Sequence, residues 1–246
     1  MEDNTNMRVK ALLLASSLAI AGNVFGDSVL VTYLAPGVQT PQGITAHYAT
    51  FNGITPGSTQ PITTTFQNSG ITGTYTGGVQ WTAANAYGGA GGSGTYAETF
   101  SSYRLSLSAS VNYFGLWFSA LDAGNQLSFY NNGSLVYTFT PADFIRLVGD
   151  CPGTGFCGNP NKPGTDVNEQ FAYLNIYDQD GSFNSIVFSQ LGGGGFESDN
   201  HAVASLNAPP LGTVVTSLDE PQTTASVALF LLAGGLIYRR RSVFSH

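Results

Sequence analysis

Tyr103-Arg-Leu-Ser-Leu-Ser-Ala-Ser-Val111 runs directly into Asn112-Tyr-Phe-Gly-Leu-Trp-Phe-Ser-Ala120, and this stretch decides the fold. In its first half, apolar residues alternate with Arg or Ser, which is the period of a strand with one buried face. The second half is apolar almost throughout, which is typical of a central strand buried on both faces. The two halves therefore predict successive β-strands inside a packed domain.

Turn signals extend this pattern towards the C-terminus. Asn131-Asn132-Gly133 separates strand-like runs at 126–130 and 134–140, and Asn-Gly supplies the positive φ values of a tight hairpin turn. Asp178-Gln179-Asp180-Gly181 separates 171–177 from 183–190 and predicts a second hairpin.

Weaker strand signals lie at 43–51 and 71–75, residues 203–206 predict a closing strand, and Pro141–Ile145 predicts a helical turn. The glycine clusters 88–94 and 192–195 predict surface loops. Regularly spaced strands with turn signals predict an all-β fold, a jelly-roll-like antiparallel β-sandwich over residues 27–212.

Composition excludes several classes of protein. The 16 Phe and 12 Tyr among 246 residues supply enough apolar surface for a core, which argues against disorder. Fifteen acidic against eight basic residues give a net charge of −7, which argues against nucleic acid as a partner.

The N-terminus has the pattern of an export signal. Arg8 and Lys10 precede an apolar run at 11–21 that is too short to span a bilayer. Residues 1–26 are therefore predicted to be a signal peptide cleaved after Gly26. The alternative is a buried amphipathic helix.

The C-terminus carries a second apolar segment. A linker at 213–222 leads into a predicted transmembrane helix at 223–238, and an Arg-rich tail at 239–246 follows it. Such a cluster of Arg stays on the cytoplasmic side of the membrane.

This tail resembles the PEP-CTERM sorting signal, whose pattern is Pro-Glu-Pro, an apolar helix and an Arg cluster. The residues that carry the resemblance are Glu220, Pro221, Gly234, Gly235, Arg239, Arg240 and Arg241, with Asp219 in place of the first Pro. The body resembles some PEP-CTERM surface proteins at 113–120 and 195–203. The alternative for the tail is an ordinary single-pass anchor.

The resemblance implies a partner and a location. An exosortase-type enzyme of a Gram-negative bacterium would process the chain near Glu220-Pro221 after transient anchoring in the inner membrane. The product would then reach the cell surface or an extracellular matrix linked to exopolysaccharide or biofilm.

Cys151 and Cys157 are the only cysteines of the sequence. An even pair in an exported chain predicts a disulfide, here across a short loop. The alternatives are a metal site or a redox pair, which call for further ligands or Cys-x-x-Cys spacing.

Two acidic clusters on turns suggest a structural calcium ion and no other cofactor. Its candidate ligands are Asp178, Asp180, Glu197 and Asp199. The alternative is that Asp and Asn occur there because they favour turns.

Aromatic residues near the first glycine cluster suggest glycan contact. Trp81 and Tyr87 are the candidates, because flat rings stack on sugar rings, whereas Trp117 is expected in the core. His47 and His201 are the candidate bases of a hydrolase, but no nucleophile motif accompanies them.

The sequence thus favours a structural or adhesive surface protein that is not an enzyme. The alternatives are a carbohydrate-binding module and, third, a secreted glycan-active hydrolase.

Overall fold

The computed structural model describes residues 28–218, which form the predicted antiparallel β-sandwich. The signal peptide, the sorting motif, the apolar helix and the Arg-rich tail lie outside the described residues and stay predictions. Within residues 28–218, no helix is long and apolar enough to cross a membrane.

Sheet A has eight strands. Its strands are β1 (Val29–Tyr33), β2 (His47–Ala49), β5 (Gln80–Ala83), β6 (Thr95–Thr99), β8 (Tyr113–Leu121), β11 (Gln170–Asp178), β13 (Phe196–Ala204) and β14 (Thr213–Leu218). They follow the order β14-β1-β11-β8-β13-β6-β5, and β2 also pairs with β13.

Sheet B has six strands and packs against sheet A. Its strands are β3 (Ile62–Thr65), β4 (Thr72–Gly77), β7 (Ser102–Val111), β9 (Asn125–Asn131), β10 (Ser134–Phe139) and β12 (Phe183–Gln190). They follow the order β10-β9-β12-β7-β4-β3. Helix α1 (Ala142–Val148) and a 3-10 helix (Ala90–Gly92) complete the elements of the described residues.

The two strands predicted from residues 103–120 enter different sheets. Strand β7 lies in sheet B and alternates buried and exposed residues along its first half. Strand β8 lies in the middle of sheet A, and all nine of its residues are buried. Phe114, Leu116 and Phe118 of β8 face the inter-sheet core, whereas Trp117 packs on the other face of the sheet.

The central strands β8, β11 and β13 of sheet A are buried on both faces, and three loops cover their outer face. The loops are residues 34–46, 84–94 and 149–169. Asn159 Nδ2 donates to the carbonyl oxygen of Ala86 at 3.0 Å, and Asn161 Nδ2 donates to that of Gly89 at 3.3 Å. Leu34, Trp117 and Tyr173 pack together beneath these loops. Central strands of sheet A are therefore apolar on both faces, as the run at 112–120 predicted.

The hairpin at Asn131–Gly133 is confirmed, but the second predicted hairpin is wrong. Strands β9 and β10 pair as expected. Strand β11 pairs with β1 and β8 in sheet A, whereas β12 pairs with β7 and β9 in sheet B. The turn at 178–181 is real, but it carries the chain from one sheet to the other.

Two further boundaries are corrected. Residues 213–218, predicted to belong to a linker, form β14, which pairs with β1 at the edge of sheet A. The signal at 203–206 is the end of β13, a long internal strand between β8 and β6. The sandwich therefore extends beyond residue 212.

Candidate functional site

Four carboxylates from distant parts of the sequence meet at one end of sheet A. Glu98 of β6 and Glu197 of β13 are direct cross-strand neighbours. Asp122 follows β8, and Glu169 immediately precedes β11. Because β6, β13, β8 and β11 are adjacent in the sheet, these side chains line one pocket of about 320 Å³. Its lining residues are Tyr87, Glu98, Phe100, Ala120, Asp122, Glu169, Gly194, Gly195 and Glu197. We call it the acidic pocket.

Some of these carboxylates have hydrogen-bond donors. Thr82 Oγ1 donates to Glu98 Oε2 at 2.7 Å, and Gln190 Nε2 donates to Asp122 Oδ2 at 3.1 Å. Glu197 is only 4% exposed, yet its buried Oε2 has no donor within residues 28–218. Ser119, its neighbour on β8, is buried as well. An uncompensated buried carboxylate is costly, so this position favours a proton or a positively charged ligand.

The electrostatics of the pocket follow from this crowding. Burial raises the pKa of Glu197 to about 9, and the negative charges of Glu98, Glu169 and Asp122 add to the shift. Burial also raises the pKa of Glu169 to about 7, with Asp166 contributing through a hydrogen bond and its charge. The pKa of Asp122 is raised by burial as well, although the hydrogen bond from Gln190 opposes the shift. Glu197 therefore keeps its proton at neutral pH.

The glycine cluster 192–195 shapes one wall of the pocket. A Cβ at Gly194 would lie 1.9 Å from Asp122 Oδ2, and a Cβ at Gly195 would lie 1.8 Å from Glu197 Oε1. Gly194 also has a φ of +87°, a conformation that favours glycine. The two carboxylates therefore pack directly against backbone that carries no side chain.

Two exposed aromatic rings stand at the rim. Tyr87 is 52% exposed and Phe100 is 58% exposed. Asn85 fixes the turn that carries Tyr87, since its Oδ1 accepts a hydrogen bond from the Tyr87 N–H at 2.8 Å. Flat apolar rings beside convergent oxygen acceptors are a common arrangement in sites that bind small polar ligands.

A second polar cluster lies between the two sheets and is closed to solvent. Tyr75 Oη lies 3.0 Å from His201 Nδ1, His201 Nε2 lies 3.0 Å from Ser198 Oγ, and Tyr103 Oη lies 3.1 Å from the same Oγ. A bulge in β13, with Asn200 at a φ of 49°, turns both Ser198 and His201 inward. We call these four residues the interior cluster.

The interior cluster corrects the proposal that His201 acts as a base. His201 is fully buried and stacks on Phe188, and burial lowers its pKa to about 3. It therefore stays neutral inside the core, out of reach of a substrate. His47 Nδ1 lies 2.8 Å from the carbonyl oxygen of Gln67, and His47 does not line the acidic pocket.

Of the two aromatic candidates for glycan contact, Tyr87 is exposed and Trp81 is buried. Trp81 is only 2% exposed and packs edge-on against Phe51 and Tyr75, so its assignment as a contact residue is wrong. Strand β5 turns its ring into the inter-sheet core. Tyr87 is exposed at the pocket rim, and Trp117 is buried as expected.

The four calcium candidates do not come together. Glu197 and Asp199 lie near the start of β13, whereas Asp178 ends β11 at the opposite end of sheet A and Asp180 follows it. Asp199 Oδ2 accepts a hydrogen bond from the Ala90 N–H at 2.9 Å and so anchors the 3-10 helix. Among residues 28–218, no group of three or more His, Cys, Asp or Glu is arranged to hold a metal.

The predicted disulfide is present between Cys151 and Cys157, with Cα atoms 5.5 Å apart. It closes a turn in the third loop over sheet A, and Cys157 forms an isolated bridge with Gln170 at the start of β11. The bond therefore fixes the loop next to Glu169.

Four residues that line the acidic pocket are not predicted from the sequence: Glu98, Phe100, Asp122 and Glu169. Glu98 had a local signal, since it is the one charged residue in the strand-like run Thr95-Tyr96-Ala97-Glu98-Thr99, and the structure buries all five residues of that strand. A carboxylate in such a strand is rare without a partner or a functional reason. Asp122 and Glu169 sit in ordinary turn sequences, and nothing local marks them.

Comparisons with known proteins assign no family to this chain, since no family model matches it and no curated protein is significantly similar to it.

Proposed function

We propose that this chain is an exported protein of the bacterial cell surface or extracellular matrix, which adheres to polysaccharide through the acidic pocket. The observation that carries the proposal is the pairing of exposed Tyr87 and Phe100 with four carboxylates around a cavity of about 320 Å³. Sugars offer an apolar ring face for stacking and hydroxyl donors for carboxylate oxygens.

Export is supported by two features. The N-terminal residues 1–26 have the pattern of a signal peptide, and the disulfide between Cys151 and Cys157 fits an oxidising compartment. The resemblance of residues 219–241 to an exosortase sorting signal supports final release to the surface or matrix.

Retention on immobilised exopolysaccharide tests the adhesive role. Tyr87→Ala and Phe100→Ala should each weaken binding roughly fivefold, because loss of a stacked ring costs about 1 kcal/mol. Leu135→Ala is the matched control, since Leu135 is 59% exposed on strand β10 of the other sheet. Equal retention of all three variants would contradict the proposal.

The intact mass of the mature protein tests delivery. Cleavage after Gly26 and near Pro221, with the product in the matrix, is the expected result. A chain that keeps its full tail and stays in the inner membrane would show that the tail is a membrane anchor and not a sorting signal.

A glycan hydrolase is the second candidate function. The raised pKa of Glu197 in the acidic pocket favours it. A carboxyl group with a pKa of about 9 beside other carboxylates can protonate a glycosidic oxygen while a second carboxylate acts on water or the sugar. Release of reducing ends by the chain, abolished in Glu197→Gln, would support hydrolysis. Binding without release would leave adhesion as the function.

A further inference from the structure

We propose that the acidic pocket selects glycans that carry free ammonium groups, that is, de-N-acetylated amino sugars. This inference deepens the proposed function and rests on it. It concerns the charge of the ligand, which the aromatic rim alone does not determine.

Within residues 28–218, the acidic pocket has no balance between negative and positive side chains. Glu98, Asp122, Glu169 and Glu197 line the pocket, and none of its described lining residues is basic. The described range contains Arg104, Arg146 and Lys162 as its Lys and Arg residues. Each of the three has a partner elsewhere. Arg104 lies over the ring of Tyr130, Arg146 pairs with Asp143 at 2.7 Å, and Lys162 Nζ donates to the Ala84 carbonyl oxygen at 3.4 Å.

The position of Glu197 favours a cationic ligand independently of the number of acidic residues. Glu197 is 4% exposed, lines the pocket, and has a buried Oε2 without a donor in the described part of the chain. Its cross-strand neighbour is Glu98, and the hydrogen bond between the two carboxyl groups raises the pKa of Glu197 but gives Oε2 no donor. An ammonium group brings three N–H donors and a positive charge. It therefore supplies both the hydrogen-bond donors and the positive charge that the described lining of the pocket lacks.

Other ligand charges fit less well. Uronate and phosphate groups would add negative charge to an uncompensated acidic cavity. A single metal ion needs several oxygen ligands that converge at 2.3–2.6 Å for calcium, and no three acidic, His or Cys groups of residues 28–218 are so arranged. An ammonium group on a sugar ring tolerates looser spacing and uses the aromatic rim as well.

Isothermal titration of the purified full chain with three hexasaccharides tests the inference. The probes are hexamers of β-1,4-linked glucosamine, its N-acetylated form and galacturonate. The glucosamine hexamer should bind at least about tenfold more tightly than the N-acetylated one, which corresponds to one additional desolvated charge-assisted contact. The galacturonate hexamer should bind most weakly.

Charge-neutral variants localise the selectivity. Glu98→Gln and Glu169→Gln should each reduce glucosamine affinity about fivefold and leave N-acetylglucosamine affinity nearly unchanged. Asp180→Asn is the matched control, because it removes the same charge from an exposed turn at the other end of sheet A. Equal effects of all three variants would indicate a nonspecific field and overturn the inference.

Proton release gives a second readout. Glu197 is protonated at neutral pH and faces Glu98, Asp122 and Glu169, while Asp166 lies beside Glu169. An arriving ammonium favours the ionised carboxylates, so binding of the glucosamine hexamer at pH 5.5, where its amines already carry their protons, should release protons from the carboxyl groups into the buffer. Titrations in two buffers of different ionisation enthalpy measure this release, and the N-acetylated hexamer should show none.

The outcomes separate the two proposals. Equal or tighter binding of the N-acetylated hexamer overturns the ammonium selectivity and leaves adhesion standing. Failure of all three hexamers to bind removes the basis of both. Binding of the glucosamine hexamer that disappears on addition of EDTA would show that a metal ion carries the charge, which also overturns the inference.

Discussion

Strand β13 carries polar groups on both of its faces, and the two faces differ in how those groups are compensated. Ser198 and His201 point into the sandwich, where Tyr75 and Tyr103 complete a chain of hydrogen bonds. Glu197 points out of the sandwich into the acidic pocket, where its Oε2 has no donor in residues 28–218.

This difference separates a structural role from a binding role. A buried polar network whose members are all paired can make a core specific without a ligand. A buried carboxylate that lacks a partner lowers stability and leaves interaction capacity for something outside the chain. Variants on the two faces of β13 should therefore change stability in opposite directions.

The largest effect is expected in the interior cluster. His201→Ala leaves a cavity among Phe51, Phe114 and Phe188 and removes the partner of the Tyr75 hydroxyl. It should lower the free energy of unfolding by about 3–5 kcal/mol. Urea denaturation measures the change. His47→Ala, on the short strand β2, is the control and should cost less than about 1 kcal/mol.

A loss below about 1 kcal/mol in His201→Ala would show that the interior cluster does not support the fold. The contrast between the two faces of β13 would then fail on its interior side.

Substitution of Glu197 on the pocket face of β13 should raise the free energy of unfolding at alkaline pH, whereas substitution of His201 lowers it. The pKa of Glu197 in the folded chain, about 9, is above its ordinary value of 4.5. The folded state therefore holds this proton more tightly, and stability falls as the pH rises from about 4.5 towards 9. Glu197→Gln should remove part of this decline and raise stability at pH 8 by at least about 1 kcal/mol.

The interior cluster should control the acid side of the same profile. Burial lowers the pKa of His201 to about 3 from its ordinary value of 6.5, so its stabilising contribution is present above 6.5 and is lost as the pH falls towards 3. His201→Gln keeps polar atoms in the core and should flatten this acid limb. Thermal unfolding between pH 3 and 9 measures both limbs, and unchanged profiles in both variants would remove the electrostatic contrast.

Much of the fold could be predicted because its signals are local. Alternation in 103–111, the apolar run of 112–120 and the Asn-Gly turn each act within a few residues, and all three are confirmed. The pairing of β11 was wrong because a turn such as 178–181 specifies a reversal of direction, not the sheet that the next strand joins.

The acidic pocket was not predicted because its lining residues are far apart in the sequence. Glu98, Asp122, Glu169 and Glu197 come together only through the order of β6, β13, β8 and β11 in sheet A. Trp81 was assigned to the surface because it lies near a glycine cluster, whereas the one-sided burial of β5 places it in the core.

A smaller effect should follow from changes in the glycine wall. Gly193→Ala and Gly194→Ala impose similar backbone strain, because their φ values are +94° and +87°, and each should cost about 1 kcal/mol. Gly193 has open space at its Cβ position, whereas a Cβ at Gly194 would displace Asp122. Only Gly194→Ala should also weaken binding of the glucosamine hexamer. Equal binding losses in the two variants would indicate that loop strain, not the carboxylate, affects the site.

The smallest effect on stability is expected at Gly195, and it gives the sharpest contrast between stability and binding. Its φ lies outside the range that strains a side chain, and the nearest obstacle is the flexible end of Glu197, 1.8 Å from the Cβ position. Gly195→Ala should therefore change the free energy of unfolding by less than about 1 kcal/mol while it pushes the Glu197 carboxyl out of place. Glucosamine affinity should fall about fivefold in titration calorimetry, because the displaced carboxyl is the one without a donor. Retained affinity with unchanged stability would show that the position of Glu197 does not matter for the ligand, and the two faces of β13 would then differ in burial alone.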